Sequence, residues 1–333
     1  MKKFLASIIA VVLAVSGLSV ISITANAATI FISGNYEYTV NSDDTVNIAG
    51  YKGIATDITI PSQILNKNVV KISANSFYNN STLTSVKIPN TIKVVGSMAF
   101  HNCTKLSKVT LPSNLKEIGY NAFDGTTALT TITIPKTVTK AGIDVFNGSA
   151  LKTATIENGA TAVADNLFSN AKNLTKVTIP NTVKKIGSMS FYDCTKLSSV
   201  TLPNTLTSIE TSAFENCQAM KSITIPKSVT YFGTTAVGYS DGRVIDGFII
   251  YGYKNTKAQT YATKNKITFK ALQEDVGDIN NDGKIDVSDV TYLQMYLSGN
   301  SSYVIKNTKA ADANGDGKID VADVTKIQTI IAS

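Results

Sequence analysis

Tryptophan is absent from the 333 residues, and histidine occurs once. A chain with a single imidazole, His101, and no Cys or Ser nucleophile at a recognisable spacing from it lacks the parts of a nucleophile–base pair. No phosphate loop, zinc motif or nucleophile elbow is present. Acidic residues are sparse through the middle of the chain. Glu117, Asp124, Asp144 and Glu210 fall at non-equivalent turns, which argues against the facing carboxylates of a glycosidase. The missing Trp removes one flat apolar platform for a sugar ring, and most Tyr and Phe residues are expected in core columns or caps. Basic residues outnumber acidic ones, 31 to 24, but the lysines are scattered and not interleaved with aromatics, so nucleic-acid binding is excluded as the expectation.

Apart from the N-terminus, no long hydrophobic run is found. "MKKFLASIIAVVLAVSGLSVISITANAA" has a Lys pair, an apolar stretch and small residues at Ala25 and Ala27, the layout of a secretory signal spanning 1–27. Its apolar run approaches the ~20 residues of a membrane span, so a retained anchor is the alternative. With the leader removed the protein is expected to be secreted, extracellular and not membrane-bound, held at the cell surface only through a partner. Without the two leader lysines the formal charge falls from +7 to +5. Five Lys against eight Asp in 276–333 make that segment −3 and leave about +8 on 28–275. An acidic polymer is a secondary expectation for a partner.

The three cysteines do not read as a disulfide framework. Cys103, Cys194 and Cys217 each stand three residues after a recurring Phe, in a column otherwise filled by Asn80, Thr126, Ser149 or Ala171. Small buried side chains and free thiols are the favoured reading. A Cys194–Cys217 bond between adjacent units stays open, because coils ~4.8 Å apart lie within disulfide reach.

That column belongs to a repeat. Phe77, Phe100, Phe123, Phe146, Phe168, Phe191 and Phe214 recur every 22 or 23 residues, with Val237 as a degenerate eighth. Pro89, Pro112, Pro135, Pro180, Pro203 and Pro226 keep the same period. One unit reads "LSKVTLPSNLKEIGYNAFDGTTA". Its "LxxVxIP" alternates like a short strand ended by Pro, and Gly96, Gly119 and Gly187 are expected to mark the return turn. Each unit should bury the equivalents of Leu106, Val109, Leu111, Ile118 and Phe123 against its neighbours. Thr110, Thr133, Thr155, Thr178, Thr201 and Thr224 form an outward column.

The C-terminal segment differs in kind. "DINNDGKIDVSD" places Asp278, Asn280, Asp282, Asp286 and Asp289 at positions 1, 3, 5, 9 and 12 of a loop, with Gly283 at 6 and the Lys284 carbonyl at 7. This is an oxygen set for Ca²⁺. "DANGDGKIDVAD" repeats it with Asp312, Asn314, Asp316, Gly317, Lys318, Asp320 and Asp323, so two structural ions are expected. Position 12 carries Asp in place of the usual Glu. "VTYLQMYL" and "VTKIQTII" follow at helical spacing, whereas "ALQEDVG" supplies no entering helix.

The repeats resemble the 23-residue, type-5 leucine-rich repeat of bacterial surface and secreted proteins. The paired loop–helix units resemble a type I dockerin. Together they imply a repeat solenoid of short parallel strands with irregular or short helical returns, followed by a small all-α Ca²⁺-binding module of two loop–helix motifs. The expected divisions are a capping hairpin at 28–57, the solenoid at 58–240, a C-terminal cap at 241–273 and the dockerin at 274–333. The dockerin resemblance implies a cohesin module on a scaffold as partner, as in cellulosomes. It places recognition on Val287, Ser288, Val321 and Ala322 and on the helix faces around Gln294, Met295, Gln328 and Thr329. Either half could then face the cohesin after a half-turn. The expected role is a non-catalytic accessory protein whose repeats bind a protein or polysaccharide. A polysaccharide-degrading component with an unrecognised site and a surface adhesin are the alternatives. A Ca²⁺ sensor is disfavoured without entering helices.

Overall fold

The computed structural model describes residues 29–272, 276–282 and 284–332, together with the backbone of the two-residue strand Val20–Ile21. The leader, with Ala25 and Ala27, and the loop residue Gly283 lie outside the described residues, that strand apart.

The repeats wind into a β-solenoid. Most coils contribute one strand from the "LxxVxIP" segment and a two-residue strand further on, paired in parallel with neighbouring coils, as in Lys108–Thr110 on Ser85–Lys87 and Glu117–Ile118 on Val94–Val95. Only one residue in two can face inward on such strands, and Val86, Ile118, Ile132 and Ile186 do so. Val109 and Leu111, expected inside, are only partly buried.

No described residue between 73 and 248 is helical. The returns are turns stacked coil on coil by backbone hydrogen bonds, so that Met98, Phe100 and Asn102 donate to Tyr120, Ala122 and Asp124 at 2.8 Å. The seven Phe side chains are buried and stack in a row, with ring centroids 4.8 to 5.8 Å apart. Tyr51 extends the row into the N-terminal cap.

The glycines before these turns have a different role from the one their position suggests. Gly119 does not have positive φ, yet a Cβ there would lie 2.6 Å from Gly96 C and 2.8 Å from Ser97 Cα, and closer still to Ser97 N. The glycine is required because the backbone of the preceding coil passes against it. The left-handed positions lie two residues to either side of the Phe, at Asn75, Met98, Asn121, Asp144, Asn166, Met189, Ser212 and Thr235 before it, and at Asn79, Asn102, Gly125, Gly148, Asn170, Asp193 and Asn216 after it.

Three breaks interrupt the regular stacking. The first-strand sheet splits between Lys108–Thr110 and Thr131–Ile134, and again between Lys176–Thr178 and Ser222–Thr224, where residues 199–201 form no strand. Each split borders a coil whose residue before Pro is Leu111 or Leu202 where the others have Ile. A γ-branched side chain fits a pleated strand less well than a β-branched one. The second-strand sheet breaks between Lys140–Ala141 and Ala162–Val163. There the turn from Phe146 to Leu151 is one residue shorter than its neighbours and Glu157 stands in the proline column. The Asp144 amide donates to Ser169 Oγ at 3.0 Å in place of a coil-to-coil carbonyl.

At the N-terminal end stands an antiparallel meander, Ile30–Ser33, Tyr36–Val40 and Val46–Tyr51, larger than a two-stranded hairpin. At the other end Ile249–Gly252, helix α1 (Lys257–Lys264) and Thr268–Ala271 cover the last coil, with Ala258, Tyr261 and Ala262 buried.

A second, separate core begins at Ile279. Helices α2 (Val287–Leu297), α3 (Thr308–Ala311) and α4 (Val321–Ile331) enclose Ile279, Val290, Leu293, Ala311, Ala313, Val324 and Ile327. Ile279 and Ala313, Val290 and Val324, and Leu293 and Ile327 are equivalents in the two halves. The four-residue α3 gives the second loop an entering turn of helix that the sequence does not announce.

Candidate functional site

Each acidic loop closes on its last residue. The Asp289 carboxylate, fully buried, accepts the Ile279 and Asn280 amides at Oδ1 (2.8 and 3.1 Å) and the Asp286 amide at Oδ2 (3.0 Å). Asp323, also fully buried, accepts the Asn314 and Asp320 amides at 3.1 and 2.8 Å. Position 9 then caps the helix: Asp286 and Asp320 accept from Ser288 and Ala322, both at 2.8 Å. Position 12 completes a capping box in each half, so loop and helix are one cooperative unit. Bonds from the Ser288 hydroxyl and amide hold the Asp286 carboxyl below the usual carboxylate range.

The rest of each loop wraps in the same sense. Asp278 Oδ1 accepts the Asp282 amide at 3.1 Å, Asn280 Oδ1 the same amide at 2.8 Å, and Asp282 Oδ1 the Lys284 amide at 2.9 Å. In the second loop Asp312 accepts from Asp316 and Gly317, and Asp316 from Lys318. Among the described residues no three acidic, imidazole or thiol side chains converge as a cluster. The carboxylates are instead distributed over the loop amides.

The donor set nevertheless fits a hard cation. Each loop brings five oxygen-bearing side chains and one carbonyl, which meets the six to eight oxygens Ca²⁺ takes. Among the described residues neither Asp289 nor Asp323 has a cationic side-chain partner, so each buried carboxylate is held by amides alone and has room in its charge balance for a cation.

The residues expected to read a partner lie on the outside. Val287 and Val321 are 67% and 70% exposed at the first turns of their helices, so they do not pack on each other. Ser288, Ala322, Gln294, Gln328 and Thr329 are exposed and Met295 is half-buried.

On the solenoid, Thr110, Thr133, Thr178, Thr201 and Thr224 are exposed and Thr155 is half-exposed. The split beside Lys108–Thr110 opens a hydroxyl-rich groove of about 540 Å³ that includes Val109, Leu111, Thr131 and Thr153. His101 stacks on Tyr78, with centroids 5.0 Å apart. Its Nδ1 lies 3.2 Å from Asp124 Oδ2, a close contact without hydrogen-bond alignment. Burial raises the Asp124 carboxyl, and His101 partly offsets this. No serine or cysteine nucleophile joins this pair among its described contacts.

The three thiols are free and buried. Each donates to the Phe carbonyl of the preceding coil: Cys103 to Phe77 at 3.1 Å, Cys194 to Phe168 and Cys217 to Phe191 at 3.2 Å. Thr126 and Ser149 in the same column turn back to their own coil's Phe carbonyl. Burial pushes Cys103 and Cys217 up to about 12.

Comparison with known families settles the two modules. The BspA type leucine rich repeat region matches residues 54–175 and 161–241, in six copies, which together cover more than half of the chain. The chain belongs to the BspA type leucine-rich repeat family. A dockerin type I domain matches residues 276–331. Among solved structures, a leucine-rich repeat protein from Bacteroides ovatus is similar at 26% identity with a TM-score of 0.51, over 72% of this chain and 67% of that one. A leucine rich repeat protein from T. pallidum (26% identity, TM-score 0.48, 72% and 97% covered) and a leucine rich cell surface protein from Faecalibacterium prausnitzii (25%, 0.45, 75% and 96%) also align. The search of curated proteins finds no match.

A type I dockerin binds calcium and docks to cohesin, as in cellulosomes, and leucine-rich repeats present a protein-binding surface. Both modules point to an extracellular or surface protein. No helix among the described residues is long and apolar enough to cross a membrane. The sequence reading missed the left-handed columns and the exposed tyrosines. Tyr78, Tyr120 and Tyr231 are 44 to 51% exposed, outside the core columns where aromatics were expected.

Proposed function

We propose that this protein is a secreted, non-catalytic accessory component that docks through its Ca²⁺-dependent dockerin onto a cohesin-bearing scaffold and offers its repeats as a binding surface. The observation that carries the reading is the duplicated loop–helix unit. Each half buries a position-12 carboxylate that has no cationic side-chain partner among the described residues and exposes a valine pair position, Val287–Ser288 or Val321–Ala322. In this reading Asp278, Asn280, Asp282, the Lys284 carbonyl, Asp286 and Asp289 hold one ion. Asp312, Asn314, Asp316, the Lys318 carbonyl, Asp320 and Asp323 hold the second. A bound ion supplies charge neutralisation only, which makes the compact module favourable.

The absence of nucleophile–base pairs in the sequence supports a non-catalytic solenoid. Docking is tested by a native-gel shift of the full chain against type I cohesins, with Ca²⁺ and with chelator. A Ca²⁺-dependent shift supports the reading; no shift with any of them overturns it. Catalysis is tested separately by a reducing-sugar assay across glycans. Turnover lost on mutation of a Glu or Asp pair would establish the enzymatic alternative.

A further inference from the structure

The break in the second-strand sheet exposes more than backbone. Where Lys140–Ala141 loses its partner on the following coil, a groove of about 450 Å³ runs across four coils, from Ser97 to Asn166. Gly119 and Gly142 line it with backbone alone, each packed against the coil before it. With coils ~4.8 Å apart, crossing four of them covers ~14 Å along the solenoid axis. That suits an extended chain better than a small ion.

The groups around it share one chemistry. Tyr120 is 44% exposed and has no aromatic or hydrogen-bond partner at its side chain among the described residues. Glu117, Lys140 and Asn166 line the same groove, and their side chains likewise have no hydrogen-bond or ion-pair partner among the described residues. Asp165 is 56% exposed and is engaged at Oδ1, by the Ser188 amide at 2.9 Å and Lys185 at 3.8 Å. Thr139 adds a hydroxyl. An accessible flat ring beside planar carboxylate and amide groups recognises a pyranose: the ring takes the apolar face of the sugar, and the polar planes take adjacent hydroxyls. Glu117 and Asp165 are matched by Lys140 and Lys185, which leaves no excess positive charge to hold a polyuronate, so the chemistry favours an uncharged chain.

We propose that this groove is a binding subsite for a neutral polysaccharide. The proposal deepens the reading of the solenoid as a binding surface and does not depend on the dockerin.

The test is affinity electrophoresis and calorimetry of the full chain, in Ca²⁺, against a panel of soluble neutral glycans, acidic glycans and a protein control. Tyr120→Ala, Tyr120→Phe and Asp165→Ala are compared with the unmodified chain, each checked by circular dichroism for an unchanged fold. The expected result is binding to at least one neutral glycan, weakened about tenfold by Tyr120→Ala and largely kept by Tyr120→Phe. Cohesin binding is read in parallel and should be unchanged in every variant. Binding to no neutral glycan, binding to acidic polymers alone, or neutral-glycan binding untouched by Tyr120→Ala would overturn the proposal. Loss of cohesin binding with glycan binding intact would count against the docking reading alone.

Discussion

Replacing Gly119 by Ala adds one methyl group at a position with no left-handed φ, a change that stabilises a chain when the space exists. Here the space does not exist. The new Cβ would meet three backbone atoms of the preceding coil, among them Gly96 C at 2.6 Å and Ser97 Cα at 2.8 Å, where ordinary contact needs 3.4 Å or more. Backbone cannot rotate aside as a side chain can, so the two coils must separate by close to 1 Å. A gap of that size forfeits a quarter to a half of each dispersion contact across the interface. The contacts at risk include the Phe100–Phe123 stack at 5.3 Å and the Gly119–Val95 backbone bond at 2.8 Å.

An overpacked site of this kind costs about 3 kcal/mol. For a unit of this size that lowers Tm by about 6–12 °C. Asn79→Gly is the control, since Asn79 is exposed at φ 56° and glycine suits that conformation; its change should stay within about 0.5 kcal/mol. Both are measured by urea unfolding followed by circular dichroism, on the full chain in saturating Ca²⁺. An unchanged midpoint for Gly119→Ala, or an equal loss for Asn79→Gly, would refute the close-approach argument.

Three further outcomes are expected. Asp278→Ala with Asp312→Ala should abolish the helical signal of residues 276–332 and leave the solenoid's β signal and unfolding midpoint in place; unchanged helix content in the double variant contradicts the metal assignment. The three buried thiols should resist a thiol reagent in the native protein and react on denaturation. Because burial holds Cys103 and Cys217 near 12 against an ordinary 9.0, the unfolded chain ionises first, so their effect on stability is nil below pH 9 and turns unfavourable as pH rises from about 9 to 12. Stability that is flat across that range would argue against their burial. Finally, Val287→Asp or Val321→Asp alone should leave cohesin binding within a few-fold if either half can dock, while both together should abolish it; full loss from one substitution would point to a single docking face.

Much of this architecture is legible in the residues because two periods are written with strong side chains. The Phe column runs unbroken through seven coils, from Phe77 to Phe214, and gives way only at Val237, since a ring that stacks on two others has no small substitute. The acidic loops are readable because metal ligation fixes oxygen-bearing residues at fixed offsets. The column two residues after Phe, with Asn79, Asn102, Gly125, Gly148, Asn170, Asp193 and Asn216, carried the signal for a left-handed turn in its Asn, Gly and Asp content. Its counterpart before Phe carried a weaker one, because Asn75, Asn121, Asp144 and Asn166 alternate with Met98, Met189, Ser212 and Thr235, which the coil-to-coil ladder holds there against their own preference. The role of Gly119 was hidden because close approach and positive φ select the same residue. The helix at Thr308–Ala311 is a single turn, too short for periodicity to show, and the grooves arise from breaks in pairing whose residues, Leu111 and Glu157 among them, look like ordinary variation within the repeat.

The central claim is that the duplicated acidic unit is a Ca²⁺-dependent docking module. It is tested most directly by calorimetric titration of the full chain with a panel of type I cohesins, in Ca²⁺ and again in chelator. The account predicts saturable binding to at least one cohesin in Ca²⁺ and none in chelator. Binding of equal strength in chelator, or Ca²⁺ uptake with no cohesin bound, would contradict it.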